Sequence, residues 1–514
     1  MQHTKPSDFI IRDEPERHDA EAVNRADQRL YAERKWVYPK LTHGFYRGLK
    51  WALLVVCLGI YYLVPWIRWD RGPELPNQAV LLDMTHNRFF MFELEIWPQE
   101  FYFVTGLLVL AALALFLVTS LFGRVWCGYF CPQTVWTDLM VAVERFWQGD
   151  RNARIRLDKE PWTLKKVFQK TMTHLSFLFI SAATGGAFVY YFTDAPTLFW
   201  QFMTLSAPQE AYVFAGLFTA TTYILGGIAR EQVCIYMCPW PRIQGAMIDK
   251  NSFLVAYKTE RGEPRGAFRK GTSWEGRGDC IDCKACVAVC PMGIDIRDGS
   301  QLECIQCALC VDACNDVMAK IGRPQGLVAY DTIARGEAVA ALVKSGQATE
   351  CEAGCACSTA VAENKVHLLR PRTLLYLGLI AIVGGIMLAA ISNRSLVEAN
   401  VIPDRNPFFV KLANGDIRNG YTLKVLNKLH EPRRYGISIE GLPSAKLTLA
   451  DIADGAPPQI LVPTDVLQEF RLFVSVPEAA VASLGSTHAP FVFIVRDLAD
   501  SRTARRATTF RSAQ

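Results

Sequence analysis

The feature that most restricts what this chain can become is a pair of cysteine runs. Cys280, Cys283, Cys286 and Cys290, followed by Pro291, stand in C-x2-C-x2-C-x3-C-P spacing, and Cys304, Cys307, Cys310 and Cys314 repeat it a short step later. In the bacterial two-cluster pattern, three closely spaced thiolates wrap one iron–sulfur cube while the fourth cysteine of each run reaches the other. The spacing therefore assigns Cys280, Cys283, Cys286 and Cys314 to one 4Fe-4S cluster, and Cys290, Cys304, Cys307 and Cys310 to a second. Zinc is the alternative, but its sites usually take four ligands in two pairs, not two runs of four. Clusters held by interleaved runs must be near neighbours, which suits electron relay.

Most of the remaining chain answers to a different solvent. Of the 514 residues 51% are hydrophobic, and they gather into stretches from Trp51 to Ile67, Phe101 to Phe122, and roughly Met172 to Phe192, Ala211 to Ile228 and Thr373 to Ile391. Each is about 17 to 22 residues long with almost no charge, enough to cross a bilayer. The first follows about 50 residues of charged sequence and lacks a cleavage pattern, so it reads as a span and not a signal peptide. The expected fold is a multi-domain membrane protein. Its divisions are a cytoplasmic N-terminal arm (1–47), a four-helix membrane domain with a duplicated hairpin (48–230), a cytoplasmic ferredoxin-like domain and linker (231–371), a fifth transmembrane helix (372–392) and a periplasmic all-β domain (393–514).

Orientation comes from the loops. Basic residues crowd the N-terminal arm (Arg25, Arg29, Arg34, Lys35, Lys40, Arg47, Lys50) and the loop after the second span (Arg145, Arg151, Arg154, Arg156, Lys159, Lys165, Lys166, Lys170), whereas Thr193 to Glu210 has no Lys or Arg. By the positive-inside rule the first two regions are cytoplasmic, and five spans carry the C-terminus to the outside. Basic patches so close to spans are not read as a nucleic-acid surface. None of the 16 cysteines follows Cys357, so the segment assigned to the outside has no thiols, which fits ligand thiols kept on the reducing side.

A second constellation lies at the ends of spans. Cys127 and Cys131 in RVWCGYFCP, and Cys234 and Cys238 in REQVCIYMCP, both read C-x3-C-P, each behind an arginine (Arg124, Arg230) and each closed by a proline (Pro132, Pro239). This looks like a duplicated two-span hairpin, placing the two pairs at equivalent depth. Helical residues four apart hold their Cβ atoms about 5 to 6 Å apart, too far for a disulfide without unwinding. The four thiols could instead bind copper, since soft thiolates favour Cu(I), form disulfides between segments, or simply pack helix ends. Cys351, Cys355 and Cys357 form a weaker group, open to transient copper binding or to being a thiol-rich turn, and Cys57 reads as packing. Between the first two spans, Met84, His86 and Met91 are residue types that copper accepts, in an aromatic stretch that equally suits the bilayer interface.

After the last span, short alternating runs (YTLKVLNKL, RYGISIEG, FRLFVSV, FVFIVRD) separated by turn signals read as an immunoglobulin-like antiparallel sandwich. Asn419–Gly420 is expected to be one of its hairpin turns, and docking to a partner its use.

Taken together, the two CxxxCP span ends, the eight-cysteine insert and the C-terminal sandwich resemble, over nearly the whole chain, the cytochrome c oxidase accessory protein family of CcoG/FixG/RdxA type. The membrane half also resembles polyferredoxin-type quinol dehydrogenase proteins. What the first resemblance implies is a copper reductase of the bacterial inner, or cell, membrane, its C-terminus in the periplasm, that converts Cu(II) to Cu(I) for the copper centre of a cbb3-type cytochrome c oxidase. It implies that the eight cysteines hold the clusters and that Cys127, Cys131, Cys234 and Cys238 form the catalytic redox or copper site. The implied partners are a cytoplasmic electron donor, copper chaperones and oxidase assembly factors, with a homodimer as a candidate assembly. Two rival readings are a quinol-linked electron-transfer protein and a non-enzymatic copper chaperone or scaffold.

Overall fold

Among the described residues of the computed structural model, five helices are long and apolar enough to cross a membrane: Phe45–Trp66, Pro98–Phe122, Leu164–Val189, Gln209–Ala229 and Pro371–Ser392. The structure describes residues 16–24, 34–72, 75–267, 274–344, 368–394, 397–428, 431–450, 458–464, 467–481, 487–500 and 502–512. The chain divides into two compact units, Met1–Met387 and Leu388–Gln514.

In the first unit the α-helical part runs through α1 (Phe45–Leu63), α2 (Tyr102–Phe122), α3 (Val125–Tyr129), α4 (Pro132–Gln148), α5 (Arg151–Lys159), α6 (Leu164–Val189), α7 (Ala195–Met203) and α8 (Gln209–Thr222). Local sequence explains several boundaries. Thr163 caps α6 by accepting from the Lys166 amide, Asp194 caps α7 from the Thr197 amide, and Pro132 starts α4. Large apolar side chains on the span helices, such as Leu108, Phe179 and Leu388, are exposed, as bilayer-facing surfaces should be. A small antiparallel sheet, β1 (Val80–Asp83), β2 (Arg88–Met91) and β3 (Leu94–Ile96), joins α1 to α2.

Several basic residues counted for orientation are structural. Buried Arg47 donates to Asp138 at 2.9 and 3.0 Å with the Lys50 ammonium 3.7 Å from the same carboxylate, and buried Arg154 donates to Glu144 at 2.8 Å. Glu144 also accepts from Arg230, which ties the end of the fourth span to α4. Such groups stay buried because each has an oppositely charged partner, hydrogen-bonded in the case of the arginines.

The ferredoxin portion follows the fourth span. It is bounded by the antiparallel pair β4 (Phe253–Tyr257) and β5 (Val328–Thr332), which encloses the cysteine loops, and its apolar core includes Ile281, Val289, Ile294, Ile305 and Leu309. That core also takes in Cys127, with Cys234 packed against it. Membrane and ferredoxin parts therefore share one interior instead of meeting as separate bodies.

The second unit is an all-β sandwich. One sheet has the order β10 (Lys446–Leu449), β12 (Leu467–Val476), β8 (Ile417–Asn427), β6 (Val397–Pro403), with β7 (Val410–Lys411) also on β8, and the other β11 (Gln459–Val462), β9 (Arg433–Glu440), β13 (His488–Asp497), β14 (Thr503–Arg511). Tyr421, Leu423, Leu472, Phe493 and Phe510 fill the space between them. Asn419–Gly420 is not a turn. Alternation along β8 buries Ile417, Asn419, Tyr421, Leu423 and Val425, so both residues continue the strand. The reversal lies at Asn414–Gly415, where Gly415 takes φ 88° and joins β7 to β8.

Candidate functional site

The two cysteine loops share one backbone device. Asp282 and Lys284 on either side of Cys283, and Gln306 and Ala308 on either side of Cys307, all take positive φ between 53° and 57°. Left-handed residues alternating with right-handed ones turn successive N–H groups toward one concavity, the form that backbone uses to surround an anionic centre. Each loop then enters a helix, Ala285–Ala288 or Leu309–Lys320.

Two cavities result. One is lined by Cys280, Cys283, Cys286 and Cys314; the other by Cys290, Cys304, Cys307 and Cys310, and by Cys286, which the two share. The fourth cysteine of each run thus lies with the first three of the other. Among the described residues no three His, Cys, Asp or Glu side chains converge as ligands of a single ion would, and thiols spread round a cavity suit a cluster with its own sulfides. The donor chemistry fits two 4Fe-4S groups, four thiols each. Burial pushes the Cys290 and Cys314 thiols up to about 12 and Cys304 to about 11, so metal binding here must release protons.

The CxxxCP segments form equivalent turns. Cys127 lies in α3, but Cys131 is extended, as a residue before proline prefers to be. Its amide donates to the Trp126 carbonyl at 2.9 Å, and the Cys238 amide to Val233 at 2.8 Å, both closing turns five residues back. The expectation of cysteines along one helix therefore fails: in each pair the helix breaks between them. The two copies differ by one residue, with three steps from Arg124 to Cys127 and four from Arg230 to Cys234. In the second copy the end of the span and the turn at Cys234 are π-helical, over Tyr223–Ala229 and Val233–Met237.

The structure brings the four thiols into one neighbourhood. Burial, reinforced by Cys131 and Cys238, pushes Cys127 up to about 11, and burial with Cys131, Cys127 and Cys238 pushes Cys234 up to about 12. Cys127 donates to Gln244 Oε1 at 3.1 Å, and Gln244, fully buried in the helix after the second pair, donates to Thr119 at 3.2 Å. All described cysteines are free thiols.

The first pair also lies directly against the second cysteine loop. Tyr129 donates to the Cys307 carbonyl at 3.0 Å, and the Arg124 amide to Gln306 at 3.0 Å. A Cβ on Gly128 would stand 2.7 Å from the Ile305 carbonyl oxygen and 3.2 Å from the Cys307 amide nitrogen, so only glycine permits this approach. Cys234 of the second pair shares a small cavity with Pro291, Met292 and Ile305 from the same region. No spacing rule points to Gly128, Tyr129 or Gln244, although Gly128 stands inside the motif.

Two further contacts fix the arrangement. The N-terminus of α1 receives its cap from the ferredoxin portion: Asp312 accepts from the Arg47 amide at 2.7 Å and the Tyr46 amide at 3.3 Å, against a Gly44 that has no side chain to offer. Asp312→Ala should cost about 1 to 2 kcal/mol, read as a lower midpoint in thermal unfolding. The N-terminal arm crosses the cluster loops, where the amides of His18, Val23 and Lys40 donate to the carbonyls of Cys283, Gly293 and Ala288 at 2.8 to 2.9 Å. The outer group does not assemble. Met84 and His86 sit at the β1–β2 turn with His86 on Asp83 at 2.7 Å, while Met91 pairs with Val80 at the far end. Cys57 lies within α1, and Cys351, Cys355 and Cys357 fall outside the described residues.

Comparison with known proteins agrees with this layout. Residues 229–333 match a family described as a 4Fe-4S dicluster domain, and 104–148 one described as a 4Fe-4S binding domain. Residues 387–513 match the IG-like fold at the C-terminal of FixG, which that description assigns provisionally to the oxidoreductases. The chain is similar to the nitrogen fixation protein FixG of Rhizobium meliloti, with 50% identity over 479 residues and 91% of each chain. It is 48% identical to protein RdxA of Cereibacter sphaeroides over 457 residues, 89% of this chain and 92% of that one. Among solved structures, a FixG-related protein from Vibrio parahaemolyticus aligns with 24% of this chain and all of its own at 21% identity and a TM-score of 0.20.

Proposed function

This chain belongs to the FixG family of membrane iron–sulfur oxidoreductases, and we propose that it reduces Cu(II) to Cu(I), supplying the copper centre of a cbb3-type cytochrome c oxidase. The observation that carries the reading is the contact of the Cys127–Cys131 turn with the Ile305–Cys307 loop through Gly128 and Tyr129. When bound, a 4Fe-4S cluster supplies a one-electron carrier, which matches the one-electron Cu(II)/Cu(I) couple. Cys127, Cys131, Cys234 and Cys238 receive the copper as substrate. Soft thiolates stabilise Cu(I) over divalent ions. Gln244 holds the Cys127 thiol, and the arginines behind each pair anchor the turns, Arg230 on Glu144 and Arg124 on the Leu302 carbonyl.

In this reading the arm and ferredoxin portion face the cytoplasm, where a soluble donor loads electrons. The sandwich lies in the periplasm, where copper chaperones and oxidase assembly factors are the partners, and a homodimer is a candidate assembly. The test is anaerobic reduction with dithionite followed by stopped-flow mixing with Cu(II), with Cu(I) trapped by a chromogenic chelator. One cluster equivalent should reoxidise per Cu(I) formed; clusters that stay reduced as Cu(I) appears defeat the proposal. Cys127→Ser and Cys234→Ser should each slow Cu(I) formation and leave cluster absorbance intact.

A further inference from the structure

Arg124 is a buried charge without a counter-charge. It stands between the second span and the Cys127 turn and is 3% exposed. Its guanidinium donates to the Leu302 carbonyl, and its amide donates to Gln306 Oε1 at 3.0 Å. Both acceptors flank Cys304 in the chain. The Arg124 Nε is buried with no partner, and among the described residues no carboxylate pairs with this side chain. Burial pushes the thiols of Cys127, Cys234 and Cys304 up, and the Arg124 charge opposes that shift at all three. One cation therefore faces both cysteine pairs and a cysteine of the adjoining cavity. Glu303, half-buried, also faces Cys304.

The comparable arginines are neutralised. Arg230, which precedes the second pair, is held by Glu144. Arg297, which lines the cavity of Cys280, Cys283, Cys286 and Cys314, donates to Asp282 and to Asp295, each at 2.7 Å. A buried cation left unpaired is costly, so what compensates Arg124 must be an anion that the described side chains do not supply. A bound 4Fe-4S centre is such an anion, because four thiolates outweigh the positive charge of its core and an added electron deepens the excess. Net charge is one of the factors that set the potential of these centres. Across about 10 Å, at an effective dielectric constant of about 20, one unit charge changes a one-electron equilibrium on the order of tenfold.

We propose that Arg124 decides where the electron rests: its uncompensated charge gives the cluster of Cys290, Cys304, Cys307 and Cys310 the higher potential, so an electron shared by the two clusters settles beside the CxxxCP thiols. One electron leaves the first centre and arrives at the second, with no bond made or broken. The inference rests on the two clusters and not on copper, so failure of the reductase reading leaves it standing.

Its test is a redox titration of the full chain, loaded with its clusters in detergent and followed by electron paramagnetic resonance. Two midpoints are expected. Arg124→Met should lower the higher one by about 59 mV, a tenfold change in the ratio of reduced to oxidised cluster, and move the lower one less. Arg124→Lys, which keeps the charge, should restore most of that shift. Cys307→Ala, which removes a ligand of the adjoining cluster only, should leave the lower midpoint, and it decides the question if Arg124→Met fails to hold its clusters. Equal shifts in the Met and Lys variants would give Arg124 a structural role through its Leu302 contact and overturn the proposal. So would an unmoved higher midpoint in Arg124→Met, or survival of the higher midpoint in Cys307→Ala.

Discussion

Replacing Gly128 by valine is expected to slow Cu(I) formation on the order of tenfold to a hundredfold while the clusters remain in place. The reason is steric. A Cβ at 2.7 Å from the Ile305 carbonyl has no flexible side chain to push aside, only the backbone of the loop that carries Cys304 and Cys307. The Cys127 turn must therefore retreat from that loop, and the Tyr129 to Cys307 hydrogen bond stretches with it. Alanine should give an intermediate rate, because it introduces the clash without the branch. Stopped-flow Cu(I) yield and visible absorbance, measured on the same samples, separate the outcomes. A wild-type rate in the valine variant would show that this contact does not matter for transfer, and lost absorbance would show that it serves folding.

Exchanging the fourth cysteine of a run should damage the other run's cluster. Cys314→Ser removes a thiol from the cavity of Cys280, Cys283 and Cys286, and Cys290→Ser one from the cavity of Cys304, Cys307 and Cys310. Each variant should lose about half of the cluster signal or convert that cluster to a weaker-bound form. Electron paramagnetic resonance of the reduced protein should then lose the broadening that two coupled clusters produce. Pairing each variant with a second substitution identifies the partners: Cys314→Ser combined with Cys283→Ser should be no worse than Cys314→Ser alone, whereas Cys314→Ser with Cys307→Ser should abolish both clusters. The reverse pattern would mean that each run closes its own cluster.

Much of this architecture could be read from the chain. Spans announce themselves because hydrocarbon tolerates so few residue types, and the cysteine runs because thiolate spacing is set by cluster geometry. Alternation in YTLKVL marks the strand, yet Asn419–Gly420 continues it in spite of its turn propensity, because that propensity is local while burial of Asn419 and Tyr421 is decided by the opposite sheet. The contacts that organise the site were not legible at all. Gly128 against Ile305, Gln244 on Cys127 and Asp312 capping α1 are long-range pairings, and nothing near any of these residues in sequence names its partner. The break between Cys127 and Cys131 was foreseeable, since Pro132 disfavours helix at the residue before it.

The arm across the cluster loops carries a consequence in time. Arg17 and Asp282, which pair in the folded protein, are 265 residues apart, and at typical synthesis rates about 15 to 50 s separate their emergence from the ribosome. The first-made piece of this fold therefore has nothing to close over until one of the later pieces arrives. During that interval the nascent arm must be held or left idle, and once the cysteine loops emerge they stand uncovered until it returns. The hydrogen bond from the His18 amide to the Cys283 carbonyl can thus form only once the cysteine loops have been made.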